Sequence, residues 1–516
     1  MPEANHSFEC YSRGIVQEFL HTTLLIDDRA YQNPHPGSTT PPPQTLLVPT
    51  RETEANPPAN PQTAHADDKG IDIEKIIDGF SKNNIICGVI RYVEQSTELF
   101  LNLAIKSDIL VLDWELKRNS SDEAKDIIKK LLDKDKSSRL RMICIYTGSF
   151  DLSSIEDELT ALLGDGVHSI SKHKLKKDAT VVSIYAKPDA REHMPAVESA
   201  FAIDYDKLPE SLISDFTSAY SGLMRNAAMK ALTLIRNNTF NILLNLFEGV
   251  DAPYLAHRCL LPIAKDAEQY GTDVILELIV EAMQDEDITT CLNSERITEW
   301  INSQGFLQIN AGRQSVDRIQ LINGAHQPDK KKKDKFSDDN KERMTSFFLK
   351  SNEQLKLNHA FSYMTSMCSN RHHFLHIGSI LKDIDNDYYF CIQPECDSVG
   401  IENKHNFVFI KLIDKDNGKF NVIIPLDNLN YVEKLLSAKN KELLTIPFFP
   451  NPGNDKILLE LGKEVISSAP APKSFVFVAQ MRSDPARRFV SSYLKHISRI
   501  GIDEFEWLRR NSPKDS

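Results

Sequence analysis

Along the first two hundred residues, apolar positions recur at two alternating periods, the helical one and the strand one. Residues 15 to 30 (IVQEFLHTTLLIDDRA) read as a short helix and then an apolar strand, His21 to Ile26, that stops at Asp27 and Asp28. IDIEKIIDGFSKNN places Ile73, Ile76, Ile77 and Phe80 on one helical face, and the strand IICGVI follows. Helix ELFLNLAIKS, strand DILVLDWEL, helix SSDEAKDIIKKLLDKDK, strand RMICIYTG, helix SIEDELTALLGDG and strand TVVSIYAKP continue the alternation. Strands separated by helices of about ten residues or more pair in parallel. ILVLD and MICIY are apolar on both faces, as a parallel sheet covered by helices on both sides requires. The pattern predicts a doubly wound, five-stranded parallel α/β domain over residues 12–195.

The remainder has a different rhythm. From Asn33 to Lys69 the chain is rich in Pro, Thr, Asn and Ala, with nine prolines between Pro34 and Pro61. So little apolar content cannot offset ordering entropy, and a disordered insertion is expected there. Residues 200–325 carry long helical periods, and 326–343, with DKKKKDKFSDDNKER, reads as a charged linker. Beyond it, a helix and the β-rich runs YYFCIQP, FVFIKLI, KFNVIIPL and SFVFVAQM, with turns such as DKDNGKF, predict an α+β domain with a mainly antiparallel sheet over 344–516.

Composition narrows the function classes. The chain has 516 residues, 41% hydrophobic and 26% charged, which matches folded globular protein in two or three domains. Its 61 Lys and Arg against 73 Asp and Glu give a net charge of −12, which argues against nucleic acid as the partner of the whole chain, although a local basic face remains open. No apolar run approaches the roughly 18 residues needed to span a bilayer. The N-terminus lacks a basic-then-apolar leader pattern, so no membrane association and a cytoplasmic location are expected. Eight dispersed cysteines without a CxxC pair read as reduced thiols.

In an open parallel sheet the functional crevice lies at the carboxyl ends of the strands. The first strand ends in Asp27 and Asp28, the third in Asp113, the fourth in Thr147, and the fifth in Lys187 before Pro188. Two or three aspartates suit Mg²⁺, a hard cation that takes oxygen ligands. A carboxylate on the central strand can attack phosphorus while metal and lysine neutralise the equatorial oxygens. Asp113 and Lys187 fit those roles, and the Thr147 hydroxyl could turn to bond the new phosphoryl group.

In strand order and in these side chains (LLIDD, LVLDW, CIYTG, YAKP), the chain resembles the receiver domain of two-component response regulators, a flavodoxin-like fold. The resemblance implies Mg²⁺ held by Asp27, Asp28, Asp113 and the backbone carbonyl of Glu115. It implies Asp113 as phosphoacceptor, Thr147 as switch hydroxyl, Lys187 as phosphate-pairing lysine, and a sensor histidine kinase as partner. The sequence departs from the family in three ways: the long interval from Asp28 to Asp113, an elaborated fourth helix or loop at SISKHKLKKD, and Ile184 where receivers often carry a switch aromatic. Tyr185 should point to the opposite face, so the signal is expected to leave by another surface.

Other candidates carry less. Cys391, Cys396 and Asp397 in CIQPECDSV, with His359, His372, His373 and His376, are residue types that bind zinc, but their spacing fits no usual zinc pattern. Cys396 beside a histidine could instead serve as a nucleophile and base. The closing SRIGIDEFEWLRR reads as a capping helix with Arg499, Ile500, Phe505, Trp507, Arg509 and Arg510. CIQPECDSV and RIGIDEFEWLRR are similar to the receiver proteins of Detocs-type phage-defence two-component systems. That likeness implies an intermediary or phosphate-buffering component that shares a kinase with a second receiver-effector protein. A phosphoacceptor is therefore expected, not an enzyme. The alternatives are a response regulator with an unrecognised enzymatic C-terminal effector, or a pseudo-receiver scaffold.

Overall fold

The computed structural model describes residues 7–31, 70–117, 120–135, 139–244, 246, 249–261, 264–284, 288–303, 352–368, 372–415, 420–427, 430–437, 443–468 and 472–497. The Pro-rich stretch 33–69, the charged segment 326–343 and the residues after 497 lie outside them. Two compact units emerge, Met1–Gly324 and Ala325–Ser516.

In the first unit the elements run α1 (Phe8–Phe19), β1 (Thr22–Asp27), α2 (Ile73–Lys82), β2 (Ile86–Arg91), α3 (Thr97–Ala104), β3 (Ile109–Leu112), α4 (Asp122–Asp135), β4 (Arg141–Thr147) and α5 (Leu152–Leu163). Then come β5 (His168–Ser171), β6 (Lys174–Lys177), β7 (Thr180–Ala186), α6 (Leu208–Tyr220) and α7 (Leu223–Asn237). Side-chain caps set several helix starts. Asp72 accepts from the Lys75 amide at 3.1 Å and Asp151 from the Ser154 amide at 3.1 Å.

The sheet has the order β2-β1-β3-β4-β7-β6-β5. Its first five strands pair in parallel, as the helix-strand alternation predicts. Strand alternation sends Leu25, Val111, Cys144, Tyr146 and Tyr185 to one face, where α1, α2, α6 and α7 cover them. Leu24, Ile26, Leu112, Ile145 and Ile184 go to the other, under α3, α4 and α5. Ile184 and Tyr185 therefore do face opposite ways.

SISKHKLKKD differs from expectation. It forms neither a helix nor an irregular loop but an antiparallel hairpin, β5 and β6, that extends the sheet from five strands to seven. Its turn works because His173 adopts a left-handed φ of 60° and is clamped there. Glu156 accepts from the His173 amide at 3.1 Å and lies 2.9 Å from Nδ1, while Glu198 lies 2.8 Å from Nε2. No period in the sequence signals a turn that two distant glutamates enforce.

In the second unit, among the described residues, a nine-stranded sheet has seven strands on the path Val422–Asp427, Asn430–Leu435, His405–Asp414, Tyr388–Cys391, Ser379–Asp383, Ser474–Met481, Glu464–Ile466, with Leu443–Phe448 beside His405–Asp414 and Met367–Cys368 beside Ser474–Met481. Among the described residues its pairings are antiparallel, as expected for this α+β region. Most of DKDNGKF lies outside the described residues, and its flanking strands are not sheet neighbours there: Asn430–Leu435 lies between them, pairing with Val422–Asp427 on one side and with Ile413 and Asp414 on the other. Among the described residues, no helix is long and apolar enough to cross a membrane.

One buried carboxylate secures the end of the sheet opposite the crevice. Asp108 accepts from the His21 amide at 2.9 Å, the Thr22 amide at 3.1 Å and the Arg139 guanidinium at 2.7 Å. Burial alone would raise its pKa, but these donors together hold it below the usual carboxylate value. Its contribution is thus present above about pH 4 and is lost as pH falls through the depressed folded value. Asp108→Asn should cost about 1–3 kcal/mol at pH 7, measured by urea unfolding, and the deficit should shrink at pH 3.

Candidate functional site

Parallel pairing in register aligns the carboxyl ends of β1, β3, β4 and β7 along one edge. Ile26 pairs with Leu112, Leu112 with Ile145, and Thr147 with Ala186, so Asp27, Asp113, Thr147 and Lys187 emerge side by side. The structure brings Asp27, Asp28 and Asp113 together, with one carboxylate oxygen from each within 4.8 Å of the others.

Lys187 holds this cluster. Its Nζ donates to Asp27 Oδ2 at 2.7 Å and to Asp113 Oδ2 at 2.6 Å. Asp27, Asp113 and Lys187 are only 2%, 7% and 7% exposed, so the pairs lie out of water, where a charge without its partner is costly. The remaining oxygens take local donors. Asp27 Oδ1 accepts from the Arg29 amide at 2.7 Å, and Asp113 Oδ1 from the Glu115 amide at 3.4 Å.

Electrostatics follow from this crowding. Burial pushes the Asp113 carboxyl up, Lys187 opposes that, and Asp27 adds to it, leaving a value of about 7. Asp28 is also raised, first by burial and then by Asp27. Burial works against the Lys187 charge, yet Asp113 and Asp27 hold its pKa above the usual lysine value.

The donor set fits a divalent cation of the Mg²⁺ class. Three carboxylates offer hard oxygens. Asp28 Oδ1 is buried without a hydrogen-bond partner among the described residues, an acceptor open to a cation. Thr147 is buried at the end of β4, its hydroxyl accepting from the Ser149 amide at 3.1 Å. Glu115 stands two residues beyond Asp113 with an exposed side chain.

The C-terminal candidates do not converge. Among the described residues, no other group of three or more His, Cys, Asp or Glu side chains could hold a metal. Cys391 is buried within its strand, while Cys396 is exposed and donates to Asp397 at 3.5 Å. His359 pairs with Glu433 at 2.8 Å. His372 and His373 sit on the short strand His372–Phe374, and His376 is buried nearby in sequence with its pKa lowered by burial. The tethers around Tyr146 and Tyr205, described below, were not visible to sequence reasoning, because they depend on a segment that returns to the sheet after the fifth parallel strand.

Residues 19–191 match the family model described as the response receiver domain. The N-terminal part of this chain thus carries a receiver domain of the response-regulator type, and the match ends well before the second unit. No curated protein and no solved structure matches the chain.

A raised acid binds its proton more readily folded than unfolded. Metal-free protein therefore loses stability as pH rises from about 4 to about 7, where Asp113 is made to ionise. Asp113→Asn removes that penalty. In thermal unfolding without metal, the variant should gain on the natural chain between pH 5 and pH 8, and a difference independent of pH would contradict this electrostatic account.

Proposed function

We propose that this protein accepts a phosphoryl group on Asp113 from the phosphohistidine of a partner sensor kinase, and that it acts as a phosphoacceptor and not as an enzyme. The observation that carries the reading is the buried Lys187 bridge between Asp27 and Asp113 beside an Asp28 oxygen without a hydrogen-bond partner among the described residues. In transfer, an Asp113 carboxylate oxygen attacks phosphorus; the new P–O bond forms as the P–N bond to imidazole breaks, and the released ring nitrogen takes a proton from solvent. Lys187 is placed to follow the charge from the carboxylate to the phosphoryl oxygens. Mg²⁺ held by Asp27, Asp28, Asp113 and the Glu115 carbonyl would supply further charge neutralisation. The Thr147 hydroxyl, which accepts from the Ser149 amide, would then donate its own proton to a phosphoryl oxygen.

The finer setting is also proposed. The likeness of CIQPECDSV and RIGIDEFEWLRR to Detocs-type receivers supports an intermediary or phosphate-buffering role in bacterial antiviral defence, located in the cytoplasm. On that role the chain competes with a second receiver-effector protein for phosphoryl groups from the same kinase.

Incubation with Mg²⁺ and acetyl phosphate, followed by intact-protein mass measurement, tests the chemistry. A phosphoryl-sized gain is expected in the natural chain and none in Asp113→Asn; equal gain in both would remove Asp113 from the site. Lys187→Ala should slow uptake by about 100-fold, the scale for losing one charge-stabilising donor.

A further inference from the structure

On the phosphoacceptor reading above, a phosphoryl group on Asp113 changes what Lys187 faces, so whatever is tied to Lys187 and its neighbours receives the change first. The Lys187 amide donates to the Thr147 carbonyl at 2.7 Å, which joins the ends of β7 and β4. Ala186, just before it, forms a parallel bridge with Ala202 and accepts from the Ile203 amide at 3.0 Å. Tyr146, just before Thr147, donates its hydroxyl to the Ile203 carbonyl at 2.7 Å. Its ring meets Tyr205 edge-on with centroids 5.9 Å apart. Arg191, from the turn after Lys187, donates to the Ala202 carbonyl at 2.7 Å and to Asp204 at 2.8 Å. The chain from Ala202 to Tyr205 is thus bonded to the neighbours in sequence of both Thr147 and Lys187.

The other end of this segment runs into α6. The Asp204 carbonyl accepts from the Lys207 and Leu208 amides, which begins the helix. Gly79 of α2 lies so close that a Cβ there would sit 2.6 Å from the Asp206 carbonyl oxygen. Farther along α6, the buried Asp215 accepts from Ser183 at 2.7 Å and Tyr185 at 2.6 Å and pairs with Lys174. Tyr185 is therefore occupied in holding α6 to the sheet. Burial raises the Tyr205 pKa, and the charges it feels include Lys187, Asp189 and Asp27 of the acidic edge.

We propose that residues 202–206 form a strap that carries the phosphorylation state of Asp113 to α6, with the Tyr146 hydroxyl as its principal tether. Lys187 springs from the backbone that Ala186, Thr147 and Ile203 share, so its move from Asp27 and Asp113 towards a phosphoryl group is felt first by that backbone. The strap turns that disturbance into a shift at the first turn of the helix. α6 carries Leu208, Leu212, Ile213 and Phe216 into the core beside α1, so a displaced first turn changes how the post-sheet helices seat on that face.

Hydrogen–deuterium exchange on the full chain, with and without acetyl phosphate and Mg²⁺, reads this directly when phosphoryl uptake is followed by mass in the same samples. In the phosphorylated natural chain, exchange across 202–220 should change severalfold. Tyr146→Phe should take up the phosphoryl group to the same extent and lose most of that change, and Gly79→Ala, which displaces the strap through Asp206, should blunt it as well. A phosphorylated natural chain with unaltered exchange over 202–220 would overturn the strap while leaving the phosphoacceptor reading standing. So would a Tyr146→Phe chain that responds like the natural one. Absence of uptake in the natural chain would overturn the phosphoacceptor reading itself, and the strap with it.

Discussion

Three carboxylates forced to the end of a parallel sheet repel one another, and one buried ammonium lets them stay together. Lys187 reaches both Asp27 and Asp113 within 2.7 Å in a setting almost closed to water. Loss of the Lys187 charge would leave the buried Asp27 and Asp113 carboxylates facing each other without a counter-charge. The cluster is also incomplete, because Asp28 keeps a buried oxygen without a hydrogen-bond partner among the described residues. A cluster in that state is poised to take a cation and then an anion, which is the order that phosphoryl transfer to a carboxylate needs.

The architecture serves this cluster. Parallel pairing in one register puts Asp27, Asp113, Thr147 and Lys187 on a common edge, and helices on both faces keep that edge dry. The same helices limit the routes by which a change at the edge can leave. Ile184 offers no aromatic group at the position three residues before Lys187, and Tyr185 is committed to Asp215. The segment after β7, bonded to Tyr146 and Ala186, lies beside the ends of β4 and β7 that carry Thr147 and Lys187.

Much of this was legible in the residues because local pattern and tertiary demand agree. The doubly apolar strands ILVLD and MICIY could settle only in a covered parallel sheet, and three aspartates, a threonine and a lysine at ordered strand ends located the site. Where the sequence misled, a distant contact overrode local preference. SISKHKLKKD became a hairpin because Glu156 and Glu198 clamp His173 in a left-handed turn. The strands that flank DKDNGKF are not neighbours, because the later strand Asn430–Leu435 pairs with both of them. The strap was illegible for a related reason: a hydrogen bond between Tyr146 and Ile203 spans more than fifty residues and leaves no period in the sequence. Cys396 and the histidines were ambiguous on paper, and the fold leaves Cys396 exposed, apart from any metal-holding group among the described residues.

The central claim is that Asp113 itself carries the phosphoryl group, and chemical trapping addresses it at the atom concerned. Borohydride reduction of the phosphorylated chain converts an aspartyl phosphate to homoserine, which peptide sequencing by mass spectrometry then locates. The account predicts homoserine at position 113 and at no other aspartate. Homoserine at Asp27 or Asp28, or a phosphorylated chain with position 113 unreduced, would contradict it.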